Sequence, residues 1–341
     1  MSQLKHRISA ALAAGALALA AATLPATAQE PAGRITLIEL TPHIAVNDAA
    51  ERIEAQDYAG AIDLLDTFLA NEPTPPPEAF YLLGLAHYQL GDYAKARGPA
   101  ERAATMAADA PASWLELVVD LLKRSGEHGA AIPWLERLVE KAPENKVYWL
   151  ELSVAYEKSN DLDRALATMR LAHSAALLTD DADFRRLSDL LINRGLPQQS
   201  AEVLEQALAA RTVQADEAAY TKLGTAWFTA GELDKAVVPL ENAARAANSG
   251  DAYVRLAVVH IAREDWSAAI AALHAGMGRG SLADAAHANL LMGVTLYARG
   301  NFDEARDWFT MAAESAAHRE AASAYLEAIA ARTKVQSSPV L

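Results

Sequence analysis

Apolar residues recur at helical spacing along nearly the whole chain, broken at short intervals by polar turns, which predicts a succession of amphipathic helices and no strand. The fourth unit shows the pattern most clearly. Val147-Tyr148-Trp149-Leu150 opens one helix, Leu152 and Tyr156 continue its buried stripe, Asn160-Asp161 makes a turn, and Ala165, Met169 and Ala172 line a second helix. An alanine-sized residue then recurs just after each turn, at Ala61, Ala96, Ala131, Ala165, Ser200, Ala236, Ala269 and Ala305, with intervals of 33 to 36 residues. A second small position lies twelve residues earlier in most units, at Ala49, Gly84, Ser153, Ser188, Gly224, Ala257 and Gly293. Paired small positions let the two helices of a hairpin approach closely, and a larger residue at either would overpack the crossing. A fixed period of this size predicts an all-α array of about eight helical hairpins, each burying its apolar face only by stacking on the next.

The period also divides the chain. Residues 1–28 read as a signal peptide: Lys5, His6 and Arg7 are a basic start, Ile8 to Leu24 is an uncharged run, and Ala26-Thr27-Ala28 offers the small-x-small cleavage pattern. Export with cleavage before Gln29 is the expected fate, and retention as an uncleaved anchor is the alternative. An N-terminal extension follows over 29–41, then a divergent first repeat over 42–73 and a proline-rich linker over 74–77. Repeats two to eight occupy 78–316, a capping helix 317–332 and a disordered tail 333–341. Pro99, Pro133 and Pro239 fall inside second helices and predict local kinks.

Composition narrows the function. The chain has no cysteine, which excludes disulfides, thiolate metal sites and a lipid-modified N-terminal cysteine. An exported helical protein of this kind is expected in a bacterial periplasm. The formal net charge is −14, and near −16 once Lys5 and Arg7 leave with the signal. No basic stripe suits a phosphate backbone, so nucleic acid is not an expected ligand, and a basic protein partner would be attracted instead. Gly276-Met277-Gly278-Arg279-Gly280 lacks the Lys-Ser/Thr of a phosphate loop and reads as a flexible helix-ending turn. The histidines are scattered, and Glu116/Asp120 could share a proton across one helical turn but read more simply as a solvated face. No enzyme activity, cofactor, metal or small-molecule substrate is expected.

Phe80, Leu83-Gly84, Tyr88 and Ala96 resemble the tetratricopeptide repeat, as do Trp149, Leu152, Tyr156 and Ala165, and Tyr220, Leu223-Gly224, Trp227 and Ala236. The resemblance implies a right-handed α-solenoid whose first helices line a concave, partner-binding groove. In those tetratricopeptide domains that grip a C-terminal carboxylate, cations near the sixth position of the first helix face the groove. Here that position holds Arg186, Lys222 and Arg255, with Arg185 beside the first, although the asparagine such clamps use is replaced by Asp189, Thr225 and Val258. Asp251 stands one turn before Arg255 as a pairing partner, and a charge-balanced face is the simpler reading of these cations. The apolar groove candidates are Tyr81, Leu85, Tyr88, Leu150, Val154 and Phe228.

From Trp114 onward the chain also resembles a narrower group, the periplasmic tetratricopeptide proteins associated with TonB, ExbB and ExbD. The shared phrases include Leu135-Glu136-Arg137-Leu138-Val139, Gly195-Leu196-Pro197, Lys235-Ala236-Val237-Val238-Pro239-Leu240-Glu241 and Glu264-Asp265-Trp266-Ser267-Ala268-Ala269-Ile270. This implies a non-enzymatic accessory of outer-membrane iron-siderophore uptake, with the surface of repeats four to seven holding a segment of TonB, ExbB or ExbD. A scaffold for envelope assembly or polysaccharide export shares the fold and is the alternative.

Overall fold

The computed structural model describes residues 37–337, with side chains described from Ile44 to Arg332. The expected signal peptide over 1–28 and residues 338–341 lie outside the described residues. Within them the chain is entirely helical, with seventeen helices and no strand, as the periodicity predicts. None of these helices is long and apolar enough to cross a membrane.

The helices pair into consecutive hairpins and fall into two compact units, the first ending at Leu177 and the second starting at Leu178. The first unit holds α1 (Leu37–Glu54) with α2 (Tyr58–Asn71), α3 (Pro77–Leu90) with α4 (Tyr93–Met106), α5 (Ala112–Arg124) with α6 (His128–Lys141), and α7 (Lys146–Lys158) with α8 (Leu162–Ser174). The second unit holds α9 (Asp181–Asn193) with α10 (Pro197–Ala209), α11 (Glu217–Thr229) with α12 (Leu233–Ala246), α13 (Asp251–Ala262) with α14 (Trp266–Arg279), and α15 (Ala285–Ala298) with α16 (Phe302–Ala313), followed by α17 (Arg319–Ser337). Helix α1 begins within the expected N-terminal extension, and α17 continues to Ser337, inside the segment expected to be a disordered tail. Pro77, placed in the linker by its sequence, is instead the first residue of α3, where its missing N–H costs nothing.

Each hairpin turns through one left-handed residue. These are Gln56, Gly91, Gly126, Asn160, Gly195, Gly231, Glu264 and Gly300, with φ from 57° to 85°. The following N–H reaches back to close the helix, as Asp92 does to the His87 carbonyl and Asp265 to the His260 carbonyl, both at 2.9 Å. Glycine fills five of these sites because a side chain is strained there, while Gln56, Asn160 and Glu264 bear that strain.

The paired small positions meet as the sequence demands. A Cβ on Gly84 would lie 3.0 Å from the Ala96 carbonyl oxygen, and one on Gly224 would lie 2.5 Å from Leu240. Where serine stands instead, it bonds across the crossing: Ser153 Oγ donates to the Ala165 carbonyl at 3.0 Å, and the Ser188 and Ser200 hydroxyls meet at 2.7 Å. Ala165, Ser200, Ala236 and Ala305 are fully buried.

The prolines sit inside α4, α6 and α12, and each helix runs unbroken through its proline. One sequence reading changes at this level. The glycine run is not a flexible turn. Helix α14 passes through Gly276 and Gly278, and only Gly280, with φ 70°, ends it. Gly276 is buried against Gly250, where a Cβ on Gly250 would lie 2.0 Å from the Gly276 carbonyl oxygen. The same junction is tied by Gly250 N–H to the Gly280 carbonyl at 3.2 Å and by Arg279 to the Ala247 carbonyl. Arg137 plays the equivalent part in the first unit, donating to the Ala104 carbonyl at 3.0 Å near the end of α4.

At the C-terminal end α17 covers the last hairpin. Ala322 and Ile329 are buried, and Tyr325 stacks on Phe309 with centroids 4.6 Å apart. An apolar end of a stacked array needs such a cover to stay out of water.

Candidate functional site: an open groove on the first helices of the second unit

Helices α9, α11 and α13 are the first helices of three successive hairpins, and they line an open groove of about 710 Å³. Helix α9 contributes Asp189 and Ile192, and α13 contributes Arg255. Most of the lining comes from α11, where Thr221, Thr225 and Thr229 follow one another at one-turn spacing beside Ala218 and Ala226. The Thr229 hydroxyl donates to the Thr225 carbonyl at 2.8 Å. The Thr221 hydroxyl oxygen is buried and makes no hydrogen bond among the described residues. At the head of α11, Asp216 caps the helix by accepting the Ala219 N–H at 2.7 Å, and Glu217 follows it in the first turn.

The four cations are held differently from one another, and the paired ones agree with a charge-balanced face. Arg185 is bonded to Asp181 at 2.6 Å and to both oxygens of Asp216 at 3.1 Å. Those bonds raise the Arg185 guanidinium pKa, led by the one from Asp181. Burial pushes the Asp216 carboxyl upward, but the Ala219 N–H and Arg185 outweigh it and hold it below the usual carboxylate value. Lys222 is ion-paired with Asp189 on α9. Arg186 is half-buried and is not among the lining residues. Of these four cations Arg255 alone is exposed, and it makes no ion pair among the described residues. The expected Asp251 partner is occupied elsewhere, accepting from the Ser249 hydroxyl at 3.3 Å and the Ala283 N–H at 3.0 Å. A helix-start carboxylate satisfies backbone N–H groups more readily than it follows a flexible guanidinium.

The apolar candidates divide by unit. In the first unit, Tyr81, Leu85 and Tyr88 are core residues, 5%, 0% and 5% exposed, and cannot line a free surface. Tyr81 stacks on Trp114 at 5.0 Å, and burial lifts its hydroxyl to about 12. Tyr88 is likewise raised to about 12, by burial and then by its bond to Asp120 at 2.8 Å. Leu150 and Val154 are half-buried. Glu116 and Asp120 do not pair with each other. Tyr148 from α7 bonds Glu116, while Tyr88 from α3 and Arg124 bond Asp120. Both carboxylates are therefore tied to neighbouring hairpins, a role that sequence spacing within α5 does not reveal. In the second unit, Phe228 is partly buried against the core that includes Leu223, Trp227 and Phe309.

The groove residues missed from the sequence are Ile192, Asp216, Glu217, Ala218, Thr221, Ala226 and Thr229. The threonines at one-turn spacing on a first helix were the available signal. Among the described residues no cluster of His, Asp or Glu could hold a metal ion.

Comparison with known proteins agrees with this architecture. The tetratricopeptide repeat family profile matches residues 49–112, 119–176, 185–252 and 254–320. A search of curated protein sequences finds no match. Among solved structures, the Naa15/Naa10 complex bound to HypK-THB matches with a TM-score of 0.53 and 16% identity, over 74% of this chain and 38% of that one. MamA matches with a TM-score of 0.43 and 22% identity, over 48% of this chain and 93% of that one. YrrB, described as a tetratricopeptide protein with an unusual peptide-binding site, matches with a TM-score of 0.44 and 18% identity, over 53% and 91%. At these identities the likeness is one of fold.

Proposed function

The chain belongs to the tetratricopeptide repeat family, and from that premise we propose that it is a periplasmic, non-enzymatic scaffold that holds a protein segment of a TonB–ExbB–ExbD complex in the α9–α11–α13 groove. Proteins of this family are generally protein-interaction scaffolds. The observation that carries the reading is the groove itself, an open surface on three successive first helices, sized for an extended polypeptide and floored by small and apolar side chains. Export rests on the basic start, apolar run and Ala26-Thr27-Ala28 of the N-terminus. The TonB assignment rests on the phrases shared with the TonB-associated group from Trp114 onward. The net charge of −14 favours a basic partner and predicts association that slows as salt is added.

The test is capture of the complex from detergent-solubilised envelopes, comparing the natural chain with Thr225→Trp, which fills the groove from an exposed position. TonB, ExbB or ExbD should be retained by the first and lost by the second. Retention of polysaccharide-export or envelope-assembly components in their place would overturn the TonB assignment. Equal retention by both chains would remove the groove from the reading.

A further inference from the structure

The charged groups of this groove do not contribute equally to recognition. Lys222 and Asp189 neutralise each other across α11 and α9, and Asp216 is held by Arg185 and by the start of its own helix. Such internal pairs are already satisfied, and a ligand competing for them would have to break a bond for each one it made. Two groove charges remain without an ion pair among the described residues: Glu217 in the first turn of α11 and Arg255 on α13. Between them runs the threonine stripe of Thr221, Thr225 and Thr229.

From this arrangement we propose that the groove selects an extended polypeptide segment bearing one acidic and one basic side chain, the acid received by Arg255 and the base by Glu217. This rests on the groove being the docking face. Polyanions do not fit, because the lining carries Asp189, Asp216 and Glu217 against Lys222 and Arg255. A clamp for a lone carboxylate does not fit either, since Lys222 and Arg185 are already neutralised.

The spacing follows from helix geometry. Glu217 begins α11, and Arg255 is the fifth residue of α13. Aligning the two hairpins on Gly224 and Ala257 sets these positions five residues apart along parallel helices, or about 7.5 Å of axial rise. With a lateral helix spacing of about 10 Å, the two backbone positions lie about 12 Å apart. An extended chain rising about 3.3 Å per residue covers that distance in about four residues. Ile192 and Ala218 then face the intervening side chains and favour small or apolar ones.

The probe is a set of blocked fourteen-residue peptides of alternating serine and valine. Each carries one glutamate and one lysine at separations from two to eight and in both orders, with glutamines at both places as the neutral control. Fluorescence anisotropy with the full chain should show one order, at a separation of about four residues, binding ~10-fold tighter than the control. Arg255→Glu and Glu217→Lys should each remove most of that advantage. Both residues lie at the groove surface, and unchanged helical circular dichroism confirms that each variant folds. The double variant should regain the advantage for the peptide with its two charges exchanged. Equal affinity for the neutral peptide, no measurable binding by any member, or no exchange of preference in the double variant would each overturn the proposal. Capture of the TonB complex separates the two levels. Loss on Thr225→Trp but not on Arg255→Glu with Glu217→Lys would refute the charge pairing while leaving the groove reading intact. Loss on neither would refute the groove reading itself.

Discussion

Two glycines of the seventh hairpin, one at its start and one near its end, should respond in opposite ways to the same substitution. Gly250 precedes α13 at φ −79°, a conformation open to any residue, so Gly250→Ala carries no backbone strain. By chain entropy alone it would stabilise by about 0.4–1 kcal/mol. The added Cβ, however, would stand 2.0 Å from the Gly276 carbonyl oxygen and 2.7 Å from Leu282. Leu282 can rotate, but the carbonyl belongs to the backbone of the last turn of α14 and moves only with it. Relieving the overlap requires α14 to shift by about 1 Å, at the upper end of the ~1–3 kcal/mol that overpacking costs. That shift would also stretch the Gly250–Gly280 bond and the Asp251–Ala283 bond. The net expectation is a loss of about 1–2 kcal/mol. Gly278 lies in the same helix with nothing within 4 Å of its would-be Cβ. Gly278→Ala should therefore stabilise by about 0.5–1 kcal/mol through helix propensity. Urea unfolding followed by circular dichroism measures both, and amide exchange in α14 localises the change, because a repeat array need not unfold in one step. If Gly250→Ala is neutral, or if both substitutions cost the same, the close backbone approach is not what the glycine serves.

Two further outcomes follow from particular residues. Glu264 holds φ 57° where five other hairpins have glycine, so Glu264→Gly should stabilise by about 1 kcal/mol in the same urea assay, while Gly231→Ala should cost a similar amount. His260 is 7% exposed, and burial pushes its imidazole below the usual value, opposed by Asp265 and helped by Arg263. The unfolded chain therefore binds the proton first, and stability should fall as pH drops below about 6.5 and continue falling until the folded imidazole also titrates. Unfolding free energies measured across that range should show a shallower loss in His260→Gln, and an identical slope would refute the assignment.

Much of the fold was legible because a repeat states its constraints many times over. The small residues at Ala96, Ala165 and Ala236 and the glycines at Gly91, Gly126 and Gly231 recur in register, and each has one local reason: a close crossing or a left-handed turn. The glycine run at 276–280 was misread because composition alone cannot separate a helix-ending glycine from one that admits a neighbouring backbone. Gly280 is the first kind and Gly276 the second. The groove was legible only in part. Position six on successive first helices did bring Lys222 and Arg255 to one surface, but it could not show that Asp189 already neutralises Lys222. Nor could it show that Tyr81, Leu85 and Tyr88, chemically suited to a groove, are covered by the next hairpin.

The sequence by itself determined the all-α class, the hairpin period, the positions of the turns and the family, since these depend on local periodicity and on residues that only one backbone conformation tolerates. Only the tertiary structure decided which first-helix side chains face solvent and which charges are left to bind. Exposure and ion pairing depend on residues about thirty positions away, as Arg185 with Asp216 and Lys222 with Asp189 show. Such pairs form when hairpins stack, and spacing within one helix carries no record of them.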